Sequence, residues 1–202
     1  MANTKFSTSS INQGLVKSRS MLVGNPPYEI PTAYESIATV TVGSGGSATV
    51  DFTSIPATYT HLQVRFIARS NRSNNEDILF TRYNNDTGTN YAYHWLAGQG
   101  SAVETYPGSS TASVWTGSLS GVNAASTTLS AGIIDVLDYT NTNKNTTTRI
   151  LSGYDANGNG RIAFSSTLWN NTTAVNRITL LPGFGTLFTQ YSQFALYGIK
   201  GA

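Results

Sequence analysis

The chain contains no cysteine, which excludes disulfide bonds and every metal site built on thiolates. Charge is scarce too. Asp, Glu, Lys and Arg make up 11% of the 202 residues, against roughly a quarter in ordinary soluble domains. Twelve basic residues against ten acidic ones leave a formal charge of +2, and the basic residues are spread singly along the chain. No basic patch and no aromatic–basic motif of a nucleic-acid module is present, so nucleic acid is not an expected partner. No apolar run approaches the length of a membrane span, so membrane insertion is not expected either. Met1–Ser10 is nearly all polar and offers no hydrophobic stretch of a secretory signal.

The usual carriers of chemistry are also sparse. Histidine occurs twice, at His61 and His94, and neither has a carboxylate or a second histidine at ligand spacing. No G-x-S-x-G nucleophile elbow is found, and Gly43-Ser44-Gly45-Gly46 lacks the lysine and helix of a phosphate loop. A glycosidase needs two carboxylates on facing strands across a cleft, and nothing marks such a cleft around the close pairs Glu76–Asp77 and Asp135–Asp138. Asp155-x-Asn157-x-Asn159-Gly160 opens like a calcium loop, but its twelfth position is Ser166 where a bidentate Glu belongs. It reads as a tight hairpin turn. No catalytic residue, metal or other cofactor is expected.

What is abundant is Ser, Thr, Asn and Gly, with aromatics at 11% to supply core bulk. Thr60–Arg69 is the clearest element. Leu62, Val64, Phe66 and Ala68 share one parity, and His61, Gln63, Arg65 and Arg69 share the other. Successive side chains of a strand point to opposite faces, so this is a strand with one face in a core. The same grammar of strand and Gly/Asn/Ser turn recurs at Ser36–Val42, Ser47–Phe52, Asp77–Tyr83, Asn90–Leu96, Ala112–Leu119, Ala131–Tyr139, Thr146–Tyr154, Arg161–Trp169, Val175–Leu181 and Gln193–Lys200. Gly98–Thr111 reads as a long surface loop. Ile133, Ile134, Val136 and Leu137 suggest a strand buried on both faces or bulged. Ile162, Phe164 and Leu168 share a parity that points inward. The expected fold is an all-β antiparallel sandwich or jelly roll over residues 34–202. Its core should join Leu62, Val64 and Phe66 with Ile37 or Val40, Val50, Phe52, Phe164 and Leu196 opposite them.

Residues 1–33 differ. Phe6, Ile11, Leu15, Val16, Met21, Leu22 and Val23 are scattered along a polar stretch that also carries Lys5, Lys17 and Arg19. That is too little apolar surface for a core of its own, yet enough to be wasted in water. The expectation is an extended arm that docks into a neighbour's groove or sheet edge.

Three segments carry a family resemblance. They are Ser20-Met21-Leu22-Val23-Gly24-Asn25-Pro26-Pro27-Tyr28 running on to Tyr34–Gly43, then Ser54–Arg65, and the closing Ser192-Gln193-Phe194-Ala195-Leu196-Tyr197-Gly198-Ile199-Lys200-Gly201. In that order they resemble structural proteins of tailed bacteriophages, described as tail fibres or virion structural proteins. The resemblance covers both ends and the first third, while Ser70–Asn176 has no counterpart, and it carries no functional residues. It implies a virion component, homo-oligomeric and most often trimeric, whose partners are other virion structural proteins. A secreted-looking composition without a secretion signal agrees with release inside a virus particle. The leading expectation is a non-enzymatic short tail fibre or adsorption protein. A head decoration or cement protein is the alternative, and a carbohydrate-active enzyme or lectin is the reading from a different class. A fibre would grip a host surface glycan, for which Tyr91, Tyr93, Trp95, Tyr106 and Trp115 are the candidate rings.

Overall fold

The structure is a computed structural model that describes residues 33–157 and 159–201. All regular structure in these residues is β. The strands are β1 (Tyr34–Thr41), β2 (Val50–Phe52), β3 (His61–Ala68), β4 (Glu76–Tyr83), β5 (Tyr91–Gln99) and β6 (Ala102–Thr111), followed by β7 (Val114–Ser120), β8 (Ser130–Leu137), β9 (Thr146–Tyr154), β10 (Arg161–Trp169), β11 (Ile178–Pro182) and β12 (Gln193–Ile199). They form an eight-stranded sheet in the order β1-β12-β3-β8-β9-β10-β5-β6 and a four-stranded sheet in the order β2-β11-β4-β7. The strand pairings in both are antiparallel. The result is a β-sandwich, as the alternation in the sequence requires.

The core lies between the sheets. Leu62, Val64, Phe66 and Ala68 of β3 point into it, meeting Val50 and Phe52 of β2, Leu79 and Tyr83 of β4, and Leu180 of β11. Each large apolar side chain so buried contributes about 1.5–3 kcal/mol. Leu196 is buried as expected but lies beside Val64 in the same sheet, since β12 pairs with β3. Ile37 and Val40 of β1 pack partly buried against the same core. A second, smaller cluster gathers Ile78, Tyr93, Trp95, Ala97 and Ala163, with Phe80 and Trp115 packed against it.

Three expectations are corrected. Phe164 is 52% exposed, and Ile162 points outward with it. The inward parity of β10 is instead Arg161, Ala163, Ser165, Thr167 and Trp169. The middle of the strand lies against β7, where the Ser165 hydroxyl reaches the Trp115 carbonyl, and carries small side chains there, while the larger Arg161 and Trp169 stand at its two ends. Two hydroxyls on this side bond across the layers: Ser152 Oγ accepts the Ser118 N–H at 2.9 Å, and Ser165 Oγ donates to the Trp115 carbonyl at 3.0 Å. The buried Thr167 and Ser118 hydroxyls have no partner among the described residues. β8 alternates cleanly and is not buried on both faces, because Ile133 and Leu137 look outward. Finally, most of Gly98–Thr111 is no loop. It is the ten-residue edge strand β6, laid along β5.

Candidate functional site

Two surfaces stand out. The first is the outer face of the eight-stranded sheet. Cross-strand register lines up Ile67, Ala131, Gly153, Ile162, Gly98 and Val103 in one row, and Arg65, Ile133, Leu151, Phe164, Leu96 and Thr105 in the next. In the first row, Ala131, Gly153 and Gly98 make a low floor between taller neighbours, and the resulting depression holds about 930 Å³. A second depression of about 730 Å³ lies over the adjoining rows. Ile67 (53%), Leu96 (46%), Ile162 (53%), Phe164 (52%) and Val103 (75%) all stand in solvent. A contiguous run of exposed apolar side chains across neighbouring strands is a candidate place of contact. A third row turns polar: Gln63, Asp135, Arg149, Ser166 and His94. Here Gln63 Nε2 donates to Asp135 at 2.7 Å, and Arg149 stands opposite Asp135.

The second surface is an aromatic strip that runs from the edge strand β6 of the eight-stranded sheet over the four-stranded one. Phe80 of β4 stacks with Trp115 of β7 at 6.4 Å and 21° between planes. Tyr106 of β6 meets Trp115 at 6.0 Å, and Phe184, in the connection from β11 to β12, meets Phe80 edge-on at 6.0 Å. Phe80 and Trp115 are half-buried, while Tyr106 (42%) and Phe184 (55%) are exposed. The Arg72 guanidinium lies over the Phe184 ring at 4.5 Å. Phe184 is held by its backbone. The fully buried Asp77 carboxylate accepts the N–H groups of Phe184 (3.0 Å) and Gly185 (2.9 Å), and the Ile78 carbonyl accepts that of Gly183 (2.7 Å). Asn71 Oδ1 takes the N–H groups of Thr186 (2.8 Å) and Leu187 (3.1 Å).

The five rings singled out from the sequence divide. Tyr91, Tyr93 and Trp95 are buried at 1%, 8% and 2%, so they serve the core. Tyr91 stacks on Trp169 and donates its hydroxyl proton to the Asp86 carbonyl, and burial pushes its phenol up to about 12. Tyr93 stacks on Trp115 at 5.0 Å, and Trp95 lies under the Arg161 guanidinium. Tyr106 and Trp115 do reach the surface, where the strip joins them to Phe80 and Phe184. Those two were missed, because Phe80 sits on the alternate parity of an apolar strand and Phe184 in a Pro-Gly turn that reads as a spacer. His61 is half-buried and its Nδ1 accepts the Asp138 N–H at 2.9 Å, whereas His94 stands on the outer face. Among the described residues there is no cluster of three or more His, Cys, Asp and Glu suited to a metal ion. The arm residues Phe6, Ile11, Leu15, Val16, Lys17, Arg19, Met21, Leu22 and Val23 lie outside the described residues.

Comparison with protein-family models, with curated proteins and with solved structures finds no match.

Proposed function

We propose that this chain is a non-enzymatic structural protein of a virus particle, a short tail fibre or adsorption subunit, and that it works as a homo-oligomer built on the outer face of its eight-stranded sheet. The observation that carries the assembly half is the inverted β10. It puts Ser165 and Thr167 inside, and Ile162 and Phe164 in water. A strand with small hydroxylated residues inward and large apolar ones outward makes sense when something dry covers the outside. A second copy fits by charge. Asp135 and Arg149 are cross-strand neighbours, so a two-fold contact sets each against its opposite in the other copy. The trimeric arrangement implied by the resemblance would instead set the same face against a different one. The virion half rests on the sequence segments that resemble phage structural proteins and on a surface wetted by amides and hydroxyls in place of charge.

The test is the mass in solution and the place on the particle. Light scattering of the full chain should give a multiple of 21.6 kDa. Phe164→Asp should release monomers with an unchanged melting temperature, since that ring is half in solvent. Antibody against residues 33–201 should decorate purified particles at the tail in electron micrographs. A monomeric wild type at high concentration, or a Phe164→Asp variant that still assembles, refutes the interface; bare particles refute the virion assignment.

A further inference from the structure

We propose that the strip Tyr106–Trp115–Phe80–Phe184, with Arg72 at its end, binds a saccharide chain that carries a carboxylate. This goes beyond the assembly reading, because the strip lies away from the outer face of the eight-stranded sheet, touching that sheet only at Tyr106 of its edge strand, and needs no second copy.

The case begins with position. Exposed aromatics scattered singly are ordinary, but here four rings from three strands and a loop follow one another at 6.0, 6.4 and 6.0 Å. That spacing is of the order of one sugar residue in a chain. Sugars present C–H faces with partial positive charge, and these settle on the negative faces of aromatic rings. A row of rings therefore grips a row of sugars, while a protein partner would ask for a continuous apolar surface.

Rigidity comes next. A loop aromatic that merely happened to be exposed would cost entropy to order on binding. Phe184 has that cost already met, since the carboxylate of the fully buried Asp77 accepts the backbone N–H groups of Phe184 and Gly185. Asn71 fixes the two residues after Gly185 in the same manner. The Asp77 carboxylate also accepts the Ile78 N–H at 2.8 Å, so it ties the exposed ring directly to β4, an arrangement suited to recognition.

The charge comes from Arg72. It stacks over Phe184, and its Nη1 donates to the Glu76 carbonyl at 3.1 Å. Its Nε and Nη2 make no hydrogen bond to the described residues, and together they form the fork that takes a carboxylate in bidentate fashion. The nearest carboxylates do not compete. Asp77 is held by backbone N–H groups, and Glu76 pairs with Arg161 at 2.5 Å. The exposed amides of Asn74 and Asn75 follow Arg72 in the chain and suit sugar hydroxyls.

The experiment is a glycan array of acidic and neutral oligosaccharides, probed with the wild type and with Phe184→Ala, Arg72→Gln and Lys144→Gln. Repeating it in the Phe164→Asp background, monomeric if the assembly face is as proposed, separates this site from that reading. Signal on uronic- or sialic-acid glycans is expected. A loss of roughly tenfold or more should follow Phe184→Ala, the scale for an aromatic anchor. Arg72→Gln should remove the preference for acidic over neutral sugars. Lys144→Gln, an exposed charge in the connection from β8 to β9 that belongs to neither surface, should change nothing. Silence across the array, or binding that survives Phe184→Ala, overturns the site; a wild-type preference for neutral sugars overturns the role of Arg72.

Discussion

Phe66 shows how much one side chain can decide. Its ring is 3% exposed, stacks on Phe194 at 6.1 Å, and is boxed in by glycines on two strands. A Cβ added at Gly132 would fall 2.4 Å from Phe66 Cζ, and one at Gly117 would fall 2.9 Å from it. The ring thus occupies space that two glycines keep open, and no smaller residue can fill it. Phe66→Ala should cost about 3–5 kcal/mol, seen as a large fall in the midpoint of chemical denaturation; a wild-type midpoint would refute the packing. Asp86 makes a different kind of contribution. Burial alone would raise its pKa, but hydrogen bonds from the Trp169 indole, the Asn90 amide and the Gly88 N–H outweigh burial and hold it below the usual carboxylate range. A carboxylate with a depressed folded pKa stabilises fully above its unfolded value, about 3.9, and loses that contribution as pH falls through the folded one. Stability should therefore decline with acid below about pH 4, and Asp86→Asn should flatten that decline in pH-dependent melting curves. Phe66 was legible because its neighbours alternate around it. Asp86 was not, since nothing in Asn85-Asp86-Thr87 announces a tryptophan brought from Trp169.

Among the elements, β3 and β6 mark the two extremes of legibility. β3 follows a period of two and was readable from the sequence. β6 contains Pro107, Gly108 and consecutive serines, a composition that favours turns, and it is a strand because β5 offers it a ladder. Pairing from the partner overrides weak local preference. β10 failed in another way: its period was read correctly, and its sign was reversed. Parity tells which residues share a face, and a sheet with apolar groups on both faces gives no hint of which face meets the other layer. The site suffered from the same ambiguity. Tyr91, Tyr93 and Trp95 share one parity and went inward, while of the rings that remain accessible Tyr106 lies on a strand read as a loop and Phe184 in a turn. The edge position of β6 has a measurable effect. Among the described residues no strand neighbours its free side, and Pro107, a bulge at Tyr91/Tyr93 and Ser110 at φ 53° blunt it against stray pairing. Backbone amides of β6 should exchange with deuterium well before those of β9 and β10, which are paired on both sides. Equal protection would mean that another chain covers this edge.

At the scale of the molecule, the two layers differ in what they expose. The wide sheet turns an apolar grid outward, and the narrow one carries Phe80 and Trp115 at the centre of the aromatic strip. The sandwich was readable because the count of short alternating strands leaves few other solutions. The division into eight and four strands was not, because it depends on long-range pairing that local pattern does not encode. One pairing within it bears on force. β1 and β12 lie antiparallel with Tyr34 opposite Ile199, and the Lys200 N–H donates to the Ala33 carbonyl at 2.9 Å. A pull applied at residue 33 against residue 200 meets these bonds from one end, where antiparallel ladders part a pair at a time like a zip. Tension entering by that corner would peel β1 away at modest load while the sandwich behind it stayed whole, so the corner would act as a mechanical fuse.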